Sequence, residues 1–267
     1  MRILLDSVSD FFKDDGPILA GAISCFSMLA IMPFLIFLVS IFGYLLGQES
    51  PMYPFLLDQV VSVFPDATHQ ITRELESIMR LRDIAIPNLL VYAFFSYQLY
   101  GALESGIQHV FKVEARRPLG MSVLISFFTI TLLVVFIGIS FSATWFMSLL
   151  HPLQELFPDL QVSAATHFLS RFAIPVLLVF MVTTALYMLL PRRSVALRHA
   201  VLGSLFASLF LEAAKHLFTL YMAFKLARLG AVYGSLTAII TFLMWLFFAA
   251  SIFLIGAELV HNLEIRR

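Results

Sequence analysis

The chain of 267 residues is 60% hydrophobic and 13% charged, and its mean hydropathy is +0.93. Soluble domains are roughly 45–50% apolar and about 25% charged, so this composition excludes an ordinary water-soluble protein. Seventeen Lys and Arg residues balance seventeen Asp and Glu residues, so no net positive charge favours nucleic acid as a partner. A single cysteine, Cys25, excludes an internal disulfide and a cysteine-rich metal site.

The charged residues are gathered into blocks, with long apolar stretches between them. Five stretches of at least 20 residues contain no Asp, Glu, Lys or Arg, and a sixth is interrupted only by Glu212 and Lys215. A helix of about 20 apolar residues crosses a hydrocarbon core about 30 Å thick. We therefore predict an all-α polytopic membrane protein, a single integral membrane domain over residues 1–267 with six transmembrane helices. Their predicted ranges are 18–46, 84–103, 119–147, 172–190, 199–224 and 235–257.

The largest segment between two spans is the first outer loop, residues 47–83, which carries six acidic residues. Apolar residues recur with helical spacing on both sides of Pro65 and Asp66, which predicts two short amphipathic helices. We expect these helices to lie on the bilayer surface or to cap the bundle; a gating role is the alternative. The loop is too short to contain a soluble catalytic domain.

Orientation follows from the distribution of Lys and Arg over the two sides of the membrane. With the N-terminus inside, the inner segments hold ten of these residues and the outer segments six, and Lys215 lies within the membrane. Both termini are therefore predicted to be cytoplasmic. The first apolar run is too long for the h-region of a cleaved signal peptide, so we expect it to remain as an anchor.

The fifth predicted span carries a line of polar residues. An ionised side chain in mid-membrane costs at least about 2.5–3.5 kcal/mol, yet Glu212 and Lys215 lie three residues apart there, with His216 next to them. Five residues with helical spacing form a stripe about 22 Å long on one face: Ser204, Ser208, Glu212, Lys215 and Thr219. Such a face is expected to look into the bundle or a wet cavity. The alternative is an ion pair that only fixes the register of the helix.

Small hydroxyl residues in the first span could line the opposite wall of the same path. Ser24 and Ser27 share one helical face there. The alternative is that such hydroxyls bond to their own backbone or sit at a close helix contact. Glu258, near the end of the last span, is predicted to be a boundary residue with a packing or capping role.

Sequence signatures of enzymes are absent from the chain. The seven histidines show no H-E-x-x-H or similar metal spacing, and neither a nucleophile elbow nor a P-loop lysine motif occurs. We therefore predict no catalytic residues, no metal site and no cofactor.

Several segments together resemble a known family, and the most specific of them lie in the last two spans. They are LEAAKHLF at residues 211–218 with Tyr221, then Tyr233, Gly234 and Ser235, Trp245, and GAEL at residues 256–259 with Glu258. AGAIS at residues 20–24 and Gly101 extend the likeness to the first two spans. This pattern resembles the YihY/BrkB family of multi-pass bacterial inner-membrane proteins.

The resemblance implies a bacterial inner-membrane location. Some members of the family were once labelled ribonuclease BN, a tRNA-processing activity, and others are associated with virulence, serum resistance and envelope lipid transport. The residues of this chain oppose the nuclease label, because it has neither a metal-binding cluster nor a large basic surface.

Two functions remain after these exclusions. The leading hypothesis is a transport-class protein that moves membrane lipid or another amphiphile along the polar face of the fifth span, with Lys215 as a contact for phosphate. The alternative is a non-transporting scaffold that anchors envelope protein partners through the outer loop. The sequence leaves homo-oligomerisation open.

Overall fold

The computed structural model describes residues 2–30, 85–113, 173–233 and 237–265, and every regular element within these ranges is a helix. In chain order the helices are α1 (Arg2–Lys13), α2 (Gly16–Ala30), α3 (Ala85–Val110), α4 (Ile174–Leu189), α5 (Leu197–Tyr233) and α6 (Thr237–Ile265). The predicted all-α class is therefore confirmed for the described part of the chain.

Two of the helices are long and apolar enough to cross a bilayer. The segments are Leu197–Tyr221 of α5, with 25 residues, and Ile239–Ile265 of α6, with 27 residues. At about 1.5 Å per residue each exceeds the hydrocarbon thickness of about 30 Å. Large apolar side chains point outward from both helices, among them Leu205, Leu217 and Phe248. Outward leucine and phenylalanine on a helix of this length are typical of contact with lipid.

The described helices can be compared with the six predicted spans. Helix α4 agrees with the predicted range 172–190 within two residues, and α5 and α6 extend beyond the ranges 199–224 and 235–257. Helix α2 overlaps the first part of the first predicted span, and α3 covers nearly all of the second and continues beyond it. The third span, residues 119–147, and the outer loop 47–83 with its two amphipathic helices lie outside the described residues.

Helix α1 was not predicted from the sequence, because it carries charged residues and so lies outside the uncharged stretches. It is amphipathic: Ser7 and Phe11 are buried, whereas Leu5 and Phe12 are 64% and 65% exposed. The helix is followed by Asp15, which has a φ of 52° and whose carbonyl oxygen accepts hydrogen bonds from the amides of Ile18 and Leu19 in α2 at 3.0 and 3.1 Å. Short polar side chains tolerate this left-handed conformation better than most, so the chain can turn between the two helices without a glycine at that position.

The chain divides into two compact units. The first consists of Met1–Leu19, Leu103–Phe218 and Ala249–Arg267, and the second of Ala20–Ala102 and Thr219–Phe248. The second unit buries Ala20, Ile23 and Ala30 of α2 and Tyr100 of α3. The single integral membrane domain over residues 1–267 remains a prediction, because this division into units does not test it.

The first unit is held together by close contact between α5 and α6. A Cβ atom added at Gly203 would meet Val260 and lie 2.9 Å from the carbonyl oxygen of Gly256. From α4, the buried hydroxyl of Tyr187 donates to the carbonyl oxygen of Phe253 at 2.7 Å, and the two rings stack at 5.1 Å. Small residues at a helix crossing allow such close packing, which replaces the hydrophobic driving force inside a membrane.

Candidate functional site

Three ionisable residues of α5, Glu212, Lys215 and His216, form a compact group within its apolar segment. The Nζ atom of Lys215 lies 2.6 Å from Oε1 of Glu212, and Nε2 of His216 lies 3.3 Å from the same oxygen. The Glu212 side chain is 10% exposed, whereas those of Lys215 and His216 are 43% and 70% exposed. The carboxylate is therefore covered by the helix packing of the first unit, and its two basic partners extend outward from it.

The serines of the predicted stripe are buried, unlike the exposed side chains of Lys215 and His216. Ser204 and Ser208 are buried, and their hydroxyls donate to carbonyl oxygens of their own helix, those of Ala200 at 2.7 Å and Leu205 at 3.1 Å. Both serines belong to the tightly packed part of α5 that contains Gly203. A hydroxyl that is buried and already donates to a backbone carbonyl is not available to bind a transported molecule.

The remaining predicted path residues lie in the second unit. The Ser24 hydroxyl is buried and donates to the carbonyl oxygen of Gly21 at 2.8 Å, and Ser27 is partly buried. Thr219 is exposed on α5, one turn beyond Lys215. Of the family pattern, Tyr233 is the last residue of α5, and Gly234 and Ser235 lie outside the described residues.

Glu258 occupies a place that the sequence did not indicate. It was predicted to be a boundary residue with a packing or capping role, and its side chain is among the largest fully buried ones, with 1% exposure. Neither carboxyl oxygen has a hydrogen-bond partner among the described residues. Helix α6 continues past Glu258 to Ile265, so Glu258 lies within the C-terminal part of the helix, and its burial comes from the helices that pack against it.

The surroundings of Glu258 form a polar cluster, which we define as Asp10, Asp14, Lys112, Glu258 and Asn262. Nδ2 of Asn262 donates to Oδ2 of Asp10 at 3.1 Å, and Nζ of Lys112 lies 3.0 Å from Oδ2 of Asp14. The hydrogen bond from Asn262 lowers the pKa of Asp10, and the hydrogen bond to Asp14 raises the pKa of Lys112. The cluster thus joins the ends of α1, α3 and α6.

The backbone at Lys112 shows how α3 ends in this cluster. The amide of Val113 donates to the carbonyl of Gln108 and that of Lys112 to the carbonyl of His109, both at 3.1 Å. This is the hydrogen-bond pattern of a Schellman cap, in which glycine is the usual residue with positive φ. Here Lys112 adopts a φ of 53°. A lysine in this conformation directs its ammonium group to Asp14 at some cost in backbone strain.

Further polar contacts tie α3 and α6 to the segment between α4 and α5. Arg192 Nη2 lies 3.3 Å from Oε1 of Glu104. Oε1 of Glu264 accepts a hydrogen bond from the amide of Ala196 at 2.7 Å and lies 2.7 Å from Nδ1 of His199. In the described residues no three His, Cys, Asp or Glu side chains converge in a way that could hold a metal ion.

The helical architecture and the outward apolar faces define an integral membrane protein. The family described as Virulence factor BrkB has a model that matches residues 7–267, and the chain belongs to this family. This membership confirms the resemblance drawn from the sequence.

Curated relatives carry the name UPF0761 membrane protein. The one from Azotobacter vinelandii is 30% identical over 262 residues, which are 96% of this chain and 62% of the relative. The one from Halorhodospira halophila is 29% identical over 92% of this chain and 53% of its own length, and that from Idiomarina loihiensis is 28% identical over 95% and 88%. The chain thus spans between half and two thirds of the first two relatives. No solved structure matches the chain.

Proposed function

We propose that this protein moves lipid or another amphiphile across the bacterial inner membrane, with both termini in the cytoplasm and without enzymatic activity or a nucleic-acid partner. The observation that carries the proposal is the group formed by Glu212, Lys215 and His216. Its carboxylate is buried while its two basic side chains are exposed within an apolar, membrane-spanning segment. Ionisable residues at such depth are functional-site candidates by default, because insertion of a charge is costly.

The depth of this group supports the proposal. Glu212 lies fifteen residues after Leu197 and nine before Tyr221, the ends of the apolar segment. At about 1.5 Å per residue these separations are about 22 Å and about 14 Å. Lys215 lies six residues before Tyr221, about 9 Å from that end, so its ammonium group is attached within the apolar segment and not at its boundary.

The chemistry of the pair suits a phosphate-bearing head group. An ammonium group makes a strong charge-assisted hydrogen bond to phosphate, and the buried Glu212 keeps the pair close to neutral when no head group is present. Because Ser204 and Ser208 are sealed and bonded to their own helix, we narrow the proposed path to the part of α5 from Glu212 onward, including Thr219.

A lipid-exchange assay tests this function. The full chain is reconstituted in liposomes that contain a fluorescent phospholipid, and its movement between leaflets is measured for the wild type, Lys215→Met and Glu212→Gln. We expect Lys215→Met to slow movement by about tenfold or more, the equivalent of about 1.4 kcal/mol for one lost charged contact. Lys13→Met is the matched control, because Lys13 lies on α1 and is exposed.

A charge-exchanged variant separates this role from a purely structural ion pair. Glu212→Lys combined with Lys215→Glu keeps two opposite charges one turn apart and so preserves a register-fixing pair. It places the carboxylate at the exposed position, where it repels phosphate. We expect this variant to fold and its movement of lipid between leaflets to be as slow as in Lys215→Met. The proposal is overturned if lipid moves between leaflets at the wild-type rate in the exchanged variant or in Lys215→Met. The scaffold role would then be tested by removal of residues 47–83 and measurement of partner binding.

A further inference from the structure

Glu258 is a buried carboxyl group that the proposed path does not use. It lies on α6 of the first unit, its side chain is 1% exposed, and both of its oxygens lack a hydrogen-bond partner among the described residues. An unpaired carboxylate in such a place loses its hydration without compensation, which is among the most expensive arrangements in a protein. A residue kept in this state requires a ligand or a role that explains it.

Among the acidic groups of the polar cluster, Glu258 is the one without a basic or hydrogen-bonding partner of its own among the described residues. The charged groups that act on it are Asp14 and Asp10 from the α1 end and Lys112 from the end of α3. Lys112 is engaged with Asp14 at 3.0 Å, and Asp10 is engaged with Asn262 and Lys13. Each neighbouring acid therefore has a partner, while Glu258 has two acidic neighbours and shares a single cation with them.

One helical turn further along α6, His261 continues the same face. It is buried, and its Nδ1 atom has no hydrogen-bond partner among the described residues. Its ring packs against that of Phe111 at 5.3 Å, and the guanidinium group of Arg193 lies 5.8 Å from the centre of the Phe111 ring. Oε1 of Gln108 on α3 is also buried without a partner. The two carboxylate oxygens of Glu258 and Oε1 of Gln108 are hydrogen-bond acceptors, and Nδ1 of His261 accepts or donates according to its tautomer.

We propose that Glu258 is a proton-binding site at the C-terminal part of α6, within the polar cluster that it forms with Asp10, Asp14, Lys112 and Asn262. A proton converts the carboxylate into a neutral acid with one hydroxyl donor, which removes the uncompensated negative charge of the buried carboxylate. A metal ion is a poorer fit, because the described residues place no three ligating side chains together. The site does not depend on Glu212 and Lys215 and goes beyond the transport function proposed above.

Infrared difference spectroscopy on the full chain in lipid nanodiscs tests the site directly. A buried carboxylic acid gives a carbonyl band that appears when the proton binds and shifts in D₂O. We expect the wild type to show this band on acidification and Glu258→Gln to lack it. Glu264→Gln is the matched control: Glu264 accepts hydrogen bonds from Ala196 and is held by His199, so its replacement leaves the band in place.

A second variant keeps Glu258 and alters its surroundings. Lys112→Met removes the cation that favours the ionised carboxylate, so we expect the midpoint of the band to move to higher pH while the band itself remains. The proposal is overturned if the wild type shows no such band, if the band persists in Glu258→Gln, or if it responds to Na⁺ instead of pH. An unchanged midpoint in Lys112→Met also counts against it.

Discussion

Gly203 of α5 and Gly256 of α6 face each other where the two helices come closest. A Cβ atom at Gly203 would lie 2.9 Å from the Gly256 carbonyl oxygen, and one at Gly256 would lie 3.3 Å from the Gly203 carbonyl oxygen. Backbone atoms cannot move aside as a flexible side chain can. This contact therefore fixes the spacing of the helices that carry Glu212 and Glu258.

We expect Gly203→Ala to destabilise the protein by about 1–3 kcal/mol, because the added methyl group overpacks a contact with backbone and with Val260. Thermal unfolding in detergent measures the effect. Gly101→Ala is the matched control, since nothing among the described residues lies within 4 Å of its added Cβ. There the better helix propensity of alanine is expected to add about 0.5–1 kcal/mol. Equal stability of the two variants would refute this account of the helix contact.

Tyr187→Phe removes one hydrogen bond and leaves the ring in place. The lost donor is the hydroxyl that bonds the Phe253 carbonyl at 2.7 Å in a fully buried position. We expect a loss of about 0.5–1.5 kcal/mol in the free energy of unfolding. Tyr221→Phe on the exposed side of α5 should change it by less than about 0.5 kcal/mol. A Tyr187→Phe variant as stable as the wild type would show that the stacking of the rings suffices.

Glu264 serves as an acceptor just before the first turn of α5. It accepts from the amide of Ala196 at 2.7 Å, and a carboxylate at a helix N-terminus is favoured by unpaired amides and by the helix dipole. We expect Glu264→Ala to cost about 1–3 kcal/mol and to speed hydrogen exchange of the amides near Ala196. Glu264→Gln keeps an acceptor oxygen and should have a smaller effect. If both substitutions speed exchange equally, charge rather than the hydrogen bond stabilises this turn.

The hydrogen bond from Asn262 to Asp10 predicts a dependence of stability on acid pH. It lowers the pKa of Asp10 in the folded state, so ionised Asp10 stabilises the fold above about pH 4, the ordinary pKa of aspartate. This contribution is lost as the pH falls through the lower pKa of the folded state. We expect Asn262→Ala to flatten the acid part of a plot of unfolding temperature against pH.

Lys13→Met provides the comparison for this pH dependence. Lys13 also lowers the pKa of Asp10, but its hydrogen bond lowers it less than the hydrogen bond from Asn262 does, and its side chain is 70% exposed and therefore screened by solvent. Its removal should therefore flatten the acid part less. A larger effect of Lys13→Met than of Asn262→Ala would assign the low pKa of Asp10 to the lysine.

Much of the fold could be read from local patterns. The lengths of uncharged stretches predicted α4 and α6, and an apolar stretch interrupted only by Glu212 and Lys215 predicted α5, because the bilayer sets the length of an apolar helix. Helical spacing alone placed Glu212, Lys215 and His216 beside each other, because residues three and four apart share one face. Helix α1 could also have been found, since Leu4, Leu5, Val8, Phe11 and Phe12 recur with helical spacing. It was missed because charged residues interrupt that stretch.

By itself the sequence determined the membrane class, which depends on composition, the family, which depends on short motifs along the chain, and the ion pair within α5, which depends on residues within one helical turn. Only the tertiary structure decided which polar side chains are buried and which are exposed. Asn262 and Asp10 are 252 residues apart in sequence, and His199 and Glu264 are 65 apart. The burial of Glu258, like that of Ser204, depends on which helices pack against it. No periodicity along a single helix specifies its neighbours, because that choice is made by the fit of side chains from distant segments.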